Sequence, residues 1–314
     1  MTAAADPCFV DCHCHFQLEH FDDFVGNFDE LGLCGAWDIL HDPSFHHGAT
    51  EDDFLALLDR VRRDCPDKVH IIWWPHYKNL TEADFPARTA KRIGELRERG
   101  IVGLKVWKDL GLGLKDPQGK LMMLDDERLN PIWEKLIELK LVLTAHVADP
   151  ATFWLPLDES NPSYEMLKKR PDWHFGKPGL PTREQLYEAR DRLHKRYPEL
   201  TIVNSHFGGY APSIDQLGQW MDEMPNFYAT FGRHVMKEDD DAVGRFLERH
   251  ADRIMFETDL GMRRGRKVDH PWNKENYAKT LSGVRQKIGQ HGDDVLRKYA
   301  HENAERLMAE VGKS

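Results

Sequence analysis

NPIWEKLIELKLVLTAH (130–146) contains one whole repeat of the fold. Leu129, Ile132, Trp133, Leu136 and Ile137 recur at helical spacing and make one apolar stripe, the mark of a helix lying on a core. LVLTAH (141–146) follows at once, of strand length and almost continuously apolar, as a strand covered on both faces should be. Outward in both directions the same rhythm returns. Strand-like runs stand at CFVDCH (8–13), LCGAWDIL (33–40), KVHIIWW (68–74), VGLKVW (102–107), LTIVNSH (200–206), NFYATF (226–231) and RIMFETD (253–259). Between them lie helical patterns with start and stop signals. Thr50 opens a segment whose Phe54, Leu57, Leu58 and Val61 share a face, and Thr81 begins another that Gly100 ends. Thr182 with Gln185, and Ser213 with Gln216, have capping-box spacing, in which each residue satisfies a free amide of the other.

Parallel strands need long crossovers, and helices supply them. Eight such runs alternating with helices predict an α/β chain, a single (β/α)8 barrel of the TIM type over residues 1–314. The doubly wound open sheet is the alternative, but no glycine-rich phosphate turn follows the first run. DPATFWLPLDESNPSYEMLKKRPDWHFGKPGLP (149–181) breaks the rhythm. It is too long for an ordinary strand-to-helix loop and rich in Trp, Phe and Pro. It therefore reads as an aromatic-rich insertion after the fifth strand, packed as a lid over the barrel mouth.

Composition narrows the function. Lys plus Arg number 43 against 53 Asp plus Glu, a net charge of −10, which argues against nucleic acid as a partner because phosphate neutralisation needs clustered cations. An apolar fraction of 40% with 31% charged residues fits a folded globular chain. The apolar runs fall well short of the roughly 18 residues a bilayer crossing needs, so no membrane partner is expected. MTAAADPCFV (1–10) shows no basic stretch ahead of an apolar core, so no secretory leader is expected. Five cysteines, an odd number, are expected as reduced thiols of a cytoplasmic protein. The expected partner is a small-molecule substrate, with a homo-oligomer left open.

In such a barrel the chemistry sits at the C-terminal ends of the strands. The polar residues there are Asp11, His13 and His15 on the first run, Lys105 on the fourth, His146 on the fifth, His206 on the sixth and Asp259 on the eighth. Strand alternation puts Asp11, His13 and His15 on one face, with Cys12 and Cys14 packed on the other. Imidazoles and a carboxylate converging from different strands suit a divalent metal, zinc first, with manganese or iron as alternatives. Asp259 would bind the ion and accept a proton from its water; His206 would complete a second metal site or act as acid/base. Lys105 would be carbamylated between two ions, hold a substrate anion or pair with an acid. His41, His76, Trp107, Trp154, Arg233 and His234 follow or flank strands and are candidate pocket residues; Arg233 would grip a carboxylate through paired hydrogen bonds. The acidic run Glu238–Asp241 reads as a helix start.

VDCHCHF (10–16), LTAHVAD (143–149), NSHFGG (204–209) and FETDLG (256–261) together resemble the amidohydrolase superfamily, in particular the amidohydrolase-related branch that includes aminocarboxymuconate-semialdehyde decarboxylase. HENAERLM (301–308) is similar to the final helix of that branch, and the resemblance spans nearly the whole chain. It implies His13, His15, His146 and Asp259 as metal ligands. His206 then matches a histidine that serves the reacting group in mononuclear members and a second ion in binuclear ones. Lys105 stands where binuclear members carry a carbamylated lysine, so one or two ions are expected. The first expectation is a metal-dependent hydrolase opening an ester, lactone or amide with activated water. The second is a metal-dependent, non-oxidative decarboxylase of a small aromatic or unsaturated acid, favoured by Arg233 and the aromatic mouth. A non-catalytic binding barrel is the third.

Overall fold

The computed structural model describes residues 7–16, 21–43, 50–76, 82–261, 271–311 and 313. Residues 1–6 and the helix start expected at Thr81 lie outside the described residues. Eight strands follow in chain order and each pairs in parallel with the next. They are β1 (Phe9–His15), β2 (Leu33–His41), β3 (Val69–Trp74), β4 (Ile101–Val106), β5 (Val142–Ala145), β6 (Ile202–Asn204), β7 (Phe227–Phe231) and β8 (Ile254–Phe256). Every apolar run named from the sequence overlaps one of them. The last run differs in one respect: it breaks after Phe256, and a two-residue strand, β9 (Leu260–Gly261), resumes three residues later. β8 pairs with β7 and β9 pairs with β1, so one broken run joins both ends of the sheet and closes the barrel.

The break has a backbone cause. Asp259 adopts a φ of 55°, and its amide donates to the His13 carbonyl at 2.8 Å. Thr258 donates its amide to Asp11 at 3.0 Å, and Tyr277 adds its hydroxyl to the same carboxylate at 2.7 Å. Asp11 is thus used in fastening the seam. The expected alternation along β1 fails here, because the pairing with β2 shifts register between Asp11 and Cys14. An extra residue on one strand re-aims the side chains beyond it. Asp11 meets Thr258 and Tyr277, while His13 and His15 meet the acids described below.

The helices follow the capping signals. Thr50 caps Glu51–Asp64 in a reciprocal box with Asp53, and Phe54, Leu57, Leu58 and Val61 are its buried face. Thr182 and Gln185 form the box that starts Arg183–Arg196. Ser213 accepts from the Gln216 amide at the start of Ile214–Glu223. Asn130–Glu138 buries Ile132, Trp133 and Leu136. Asp239 caps Asp240–His250, so the acidic run is a helix start. Asn303, in the closing helix Asn303–Glu310, donates to the carbonyls of Ala251 and Ile254 at 2.7 and 2.8 Å, fastening that helix to the start of β8.

The expectation of five reduced thiols is corrected. Cys8 and Cys34 are joined by a disulfide, with Cα atoms 5.6 Å apart, while Cys12, Cys14 and Cys65 are free and buried. Phe9 stands opposite Leu33 in the β1–β2 pairing, which brings the adjoining cysteines together although 26 positions separate them in sequence. Among the described residues no helix is long and apolar enough to cross a membrane. The 149–181 insertion carries three short helical turns, Ala151–Trp154, Tyr164–Lys169 and Pro171–Trp173, and buries Phe153, Leu167 and Phe175.

Candidate metal centre

His13, fully buried near the end of β1, is the hub. Its two nitrogens face different company. Nε2 lies 3.5 Å from Asp259 Oδ1 and 3.3 Å from Lys105 Nζ, and the same Asp259 oxygen is 3.3 Å from His15 Nε2. Nδ1 lies 2.9 Å from Ser205 Oγ and 3.5 Å from Glu257 Oε2. Glu257 also takes the His206 amide at 2.8 Å and the Thr230 hydroxyl at 2.7 Å, with His206 Nδ1 3.2 Å away. Two donor groups result, His13–His15–Asp259 and His13–His206–Glu257, each with its ligand atoms within 4.8 Å of one another. The ring of His146 adjoins that of His206 at 4.5 Å, and its Nε2 lies 3.3 Å from Asp149 Oδ1; His146 belongs to neither group.

Burial sets the protonation of these residues. It drives His13 well below the ordinary histidine value, with Lys105 adding to the effect, and lowers His146 and His206 to about 4. Lys105, 1% exposed, falls to about 7, because burial outweighs the attraction of Asp259 and Glu257. Burial raises Glu257 to about 7. Burial pushes Asp259 upward too, but His206, His15 and Lys105 outweigh it and hold the half-exposed carboxylate below its usual range. At neutral pH the site therefore offers the neutral imidazoles of His13, His146 and His206 and the ionised carboxylate of Asp259. That set fits a divalent cation of the borderline class.

The amidohydrolase family model matches residues 10–308. The chain belongs to the amidohydrolase family. No curated protein sequence matches it. Among solved structures, the amidohydrolase is similar to dihydroorotase from Campylobacter jejuni (16% identity, 96% of this chain and 83% of that one, TM-score 0.55). It is also similar to dihydroorotase from Saccharomyces cerevisiae, solved with 5-fluoroorotic acid (15%, 98% and 86%, 0.55), and to an amidohydrolase from Pseudomonas aeruginosa (11%, 98% and 97%, 0.51). At these identities the likeness is one of fold.

The pocket candidates of the amidohydrolase fare unequally. His41 packs 5.7 Å from His15 and 4.3 Å from Trp74, and Trp107 stands 5.5 Å beyond Trp74 and 6.5 Å from His146, so these rings line one wall. His76 is half-buried after β3. Trp154 is used inside the insertion, donating to the Pro181 carbonyl at 3.0 Å and packing on Phe175. Arg233 is exposed, and the next residue, His234, takes the inward place, 5.3 Å from the Tyr210 ring and 6.4 Å from His206.

Glu257, Trp74 and Ser205 are not among the candidates the sequence offers, whereas His234 is one of them. Glu257 had a usable signal, since it stands two residues before Asp259 in an otherwise apolar run. Lys108 gave none. Buried after β4, it donates to Asp149 at 2.6 Å and lies 4.1 Å over the Trp173 ring and 5.5 Å over that of Phe175, tying the insertion to the barrel. Burial alone would raise Asp149, but His146 and Lys108 hold it below the usual carboxylate range.

Proposed function

We propose that this amidohydrolase is a metal-dependent hydrolase acting on an ester, lactone or amide bond of a small organic substrate. The observation that carries the reading is the convergence of His13, His15, Asp259, His206, Glu257 and Lys105 at one strand-end mouth. His13, His15 and Asp259 would hold an ion through the Nε2 side of His13, leaving Nδ1 to Ser205 and Glu257, which orient the ring. His206 and His146 stand beside that set, and a second ion would draw on His206 and Glu257. A bound divalent ion supplies Lewis acidity and makes its water acidic enough to be deprotonated near neutral pH.

The chain's own groups do the rest. Asp259, ionised and half-exposed, accepts the proton of the attacking water. Lys105, at about 7, is poised to donate a hydrogen bond to the oxygen that becomes negative as the carbonyl is attacked. Neutral His206 shuttles the proton to the leaving group. The wall of His41, Trp74 and Trp107 offers apolar faces to the substrate body. That wall also favours the second reading, a decarboxylase of a planar acid, but exposed Arg233 gives the substrate carboxylate no inward grip.

Metal analysis of the purified chain and of His13→Ala, with both assayed on a panel of esters, lactones and amides, tests the proposal. The expected result is bound metal and hydrolysis in the parent chain and neither in His13→Ala, whose melting transition persists. Full hydrolysis in chelator would overturn the mechanism. Carbon dioxide release from aryl carboxylates without hydrolysis of any panel member would replace it with the lyase.

A further inference from the structure

Five consecutive residues at the mouth have left-handed backbone. Their φ values are 57° at His206, 60° at Phe207, 67° at Gly208, 86° at Gly209 and 59° at Tyr210. Only glycine adopts this region without a steric penalty, so His206, Phe207 and Tyr210 hold it against their own preference. Something must supply the restraint, and one helix does. Arg190 Nη1 donates to the Gly208 carbonyl at 2.9 Å. The Tyr187 hydroxyl lies 3.1 Å from the Gly209 carbonyl and 3.0 Å from that of Tyr210, and Arg183 donates to the latter as well. Residues 183, 187 and 190 fall on one face of Arg183–Arg196 and so meet three successive carbonyls.

Arg190 is 0% exposed, its guanidinium 4.0 Å over the Trp220 ring and 2.7 Å from Asp191. A buried guanidinium is costly unless its hydrogen bonds are satisfied, so its placement on this carbonyl is informative. At the other end of the turn the His206 amide is held by Glu257. Gly208 leaves no slack either, since a Cβ there would lie 2.4 Å from Leu217 Cδ1.

We infer that Arg190 and Tyr187 are positioning residues for His206: they fix the left-handed turn, and the turn fixes where the His206 imidazole stands among the metal-binding side chains. Neither touches the reacting atoms. The inference deepens the proposed function and rests on it only in giving His206 a role at that site.

The test compares Tyr187→Phe and Arg190→Met with the parent chain, and Tyr197→Phe serves as control because its hydroxyl faces outward toward Glu134. In the metal-free protein, the ring signals of His206 are identified in a histidine nitrogen-correlation spectrum by their loss in His206→Gln. Both variants should move or broaden those signals, leave the ring signals of His250 in place, and weaken cobalt(II) binding by about 10–100-fold, the usual loss when a ligand's support is removed. The control should match the parent chain. His206 signals and cobalt affinity both unchanged in folded Tyr187→Phe would overturn the inference, and so would equal movement of all ring signals in both variants. Should Arg190→Met fail to fold, Tyr187→Phe decides alone, since it removes one hydroxyl. A parent chain that takes up no cobalt would sink the metal reading, while the His206 signals would still judge the positioning.

Discussion

Glu257 uses both carboxylate oxygens inside the barrel, one on the His206 amide and the other on Thr230. Glu257→Gln keeps the shape but puts an amide in place of the carboxyl group that faces two imidazoles. Metal retention after dialysis is expected to fall about 10–100-fold, and unchanged retention would remove Glu257 from the centre. Asp38, buried beside β1, accepts the Phe16 amide at 2.8 Å, and burial raises it to about 8. Its ordinary value is near 4, so between about pH 4 and 8 the folded chain holds a proton that the unfolded chain releases, and stability falls as pH rises through that window. Asp38→Asn should flatten the fall, which urea unfolding at pH 5 and pH 8 would reveal; an equally steep fall would refute the assignment. His13, His15 and Asp259 were legible as candidates because each stands at or just beyond the end of a strand-like run. Lys108 and Ser205 were hidden because their partners come from distant parts of the chain, and such pairings leave no mark on local spacing; Glu257, two residues before Asp259, was open to being read. Of the adjacent candidates Arg233 and His234, the structure turns His234 inward and leaves Arg233 exposed, a choice of one residue that spacing alone does not make.

Elements were more legible than contacts. Every strand run and capping signal depends on periodicity within a short window, which survives without knowledge of the tertiary fold. The break between β8 and β9 and the register shift in β1 depend on neighbouring strands and could not be read. The Cys8–Cys34 bridge is of the same kind. Cys34→Ser is expected to lower stability by about 3.5 kcal/mol, the loop-closure contribution for a separation of 26, measured by denaturant unfolding with and without reductant. Metal retention should be unaffected, because the bridge lies at the opposite end of β1 from His13 and His15; loss of metal on reduction would contradict this. Gly208→Ala tests the turn itself. With φ at 67° and Leu217 in the way, the substitution should destabilise by about 1–3 kcal/mol, and a neutral outcome would show that the turn relaxes freely.

For the whole molecule the buried titrating groups set opposite slopes. Burial lowers His70 and His250 to about 4 and His194 to about 3, below the value near 6.5 of unfolded histidine. The unfolded chain therefore binds protons that the folded chain refuses, and stability is lost as pH falls from about 6.5 to 4. Asp11, raised to about 7 by burial, acts with Asp38 and Glu257 in the other direction up to about pH 8. With His13, His146 and His206 counted, the buried imidazoles outnumber these carboxyls in the acid range, so the melting temperature should fall from neutrality toward pH 5. Above neutrality Lys105, lowered to about 7, opposes the carboxyls and flattens the profile. A melting temperature that rises from pH 7 toward pH 5 would contradict the balance.

Because the two acids at the seam, Glu257 and Asp259, stand between the strand bonded to β7 and the strand bonded to β1, closing the cylinder and assembling the centre are a single event. A nascent chain still tethered to the ribosome at any earlier residue carries histidines without their acids. On the metal-dependent reading proposed above, an ion would find no finished cradle until nearly five-sixths of the 314 residues have been made.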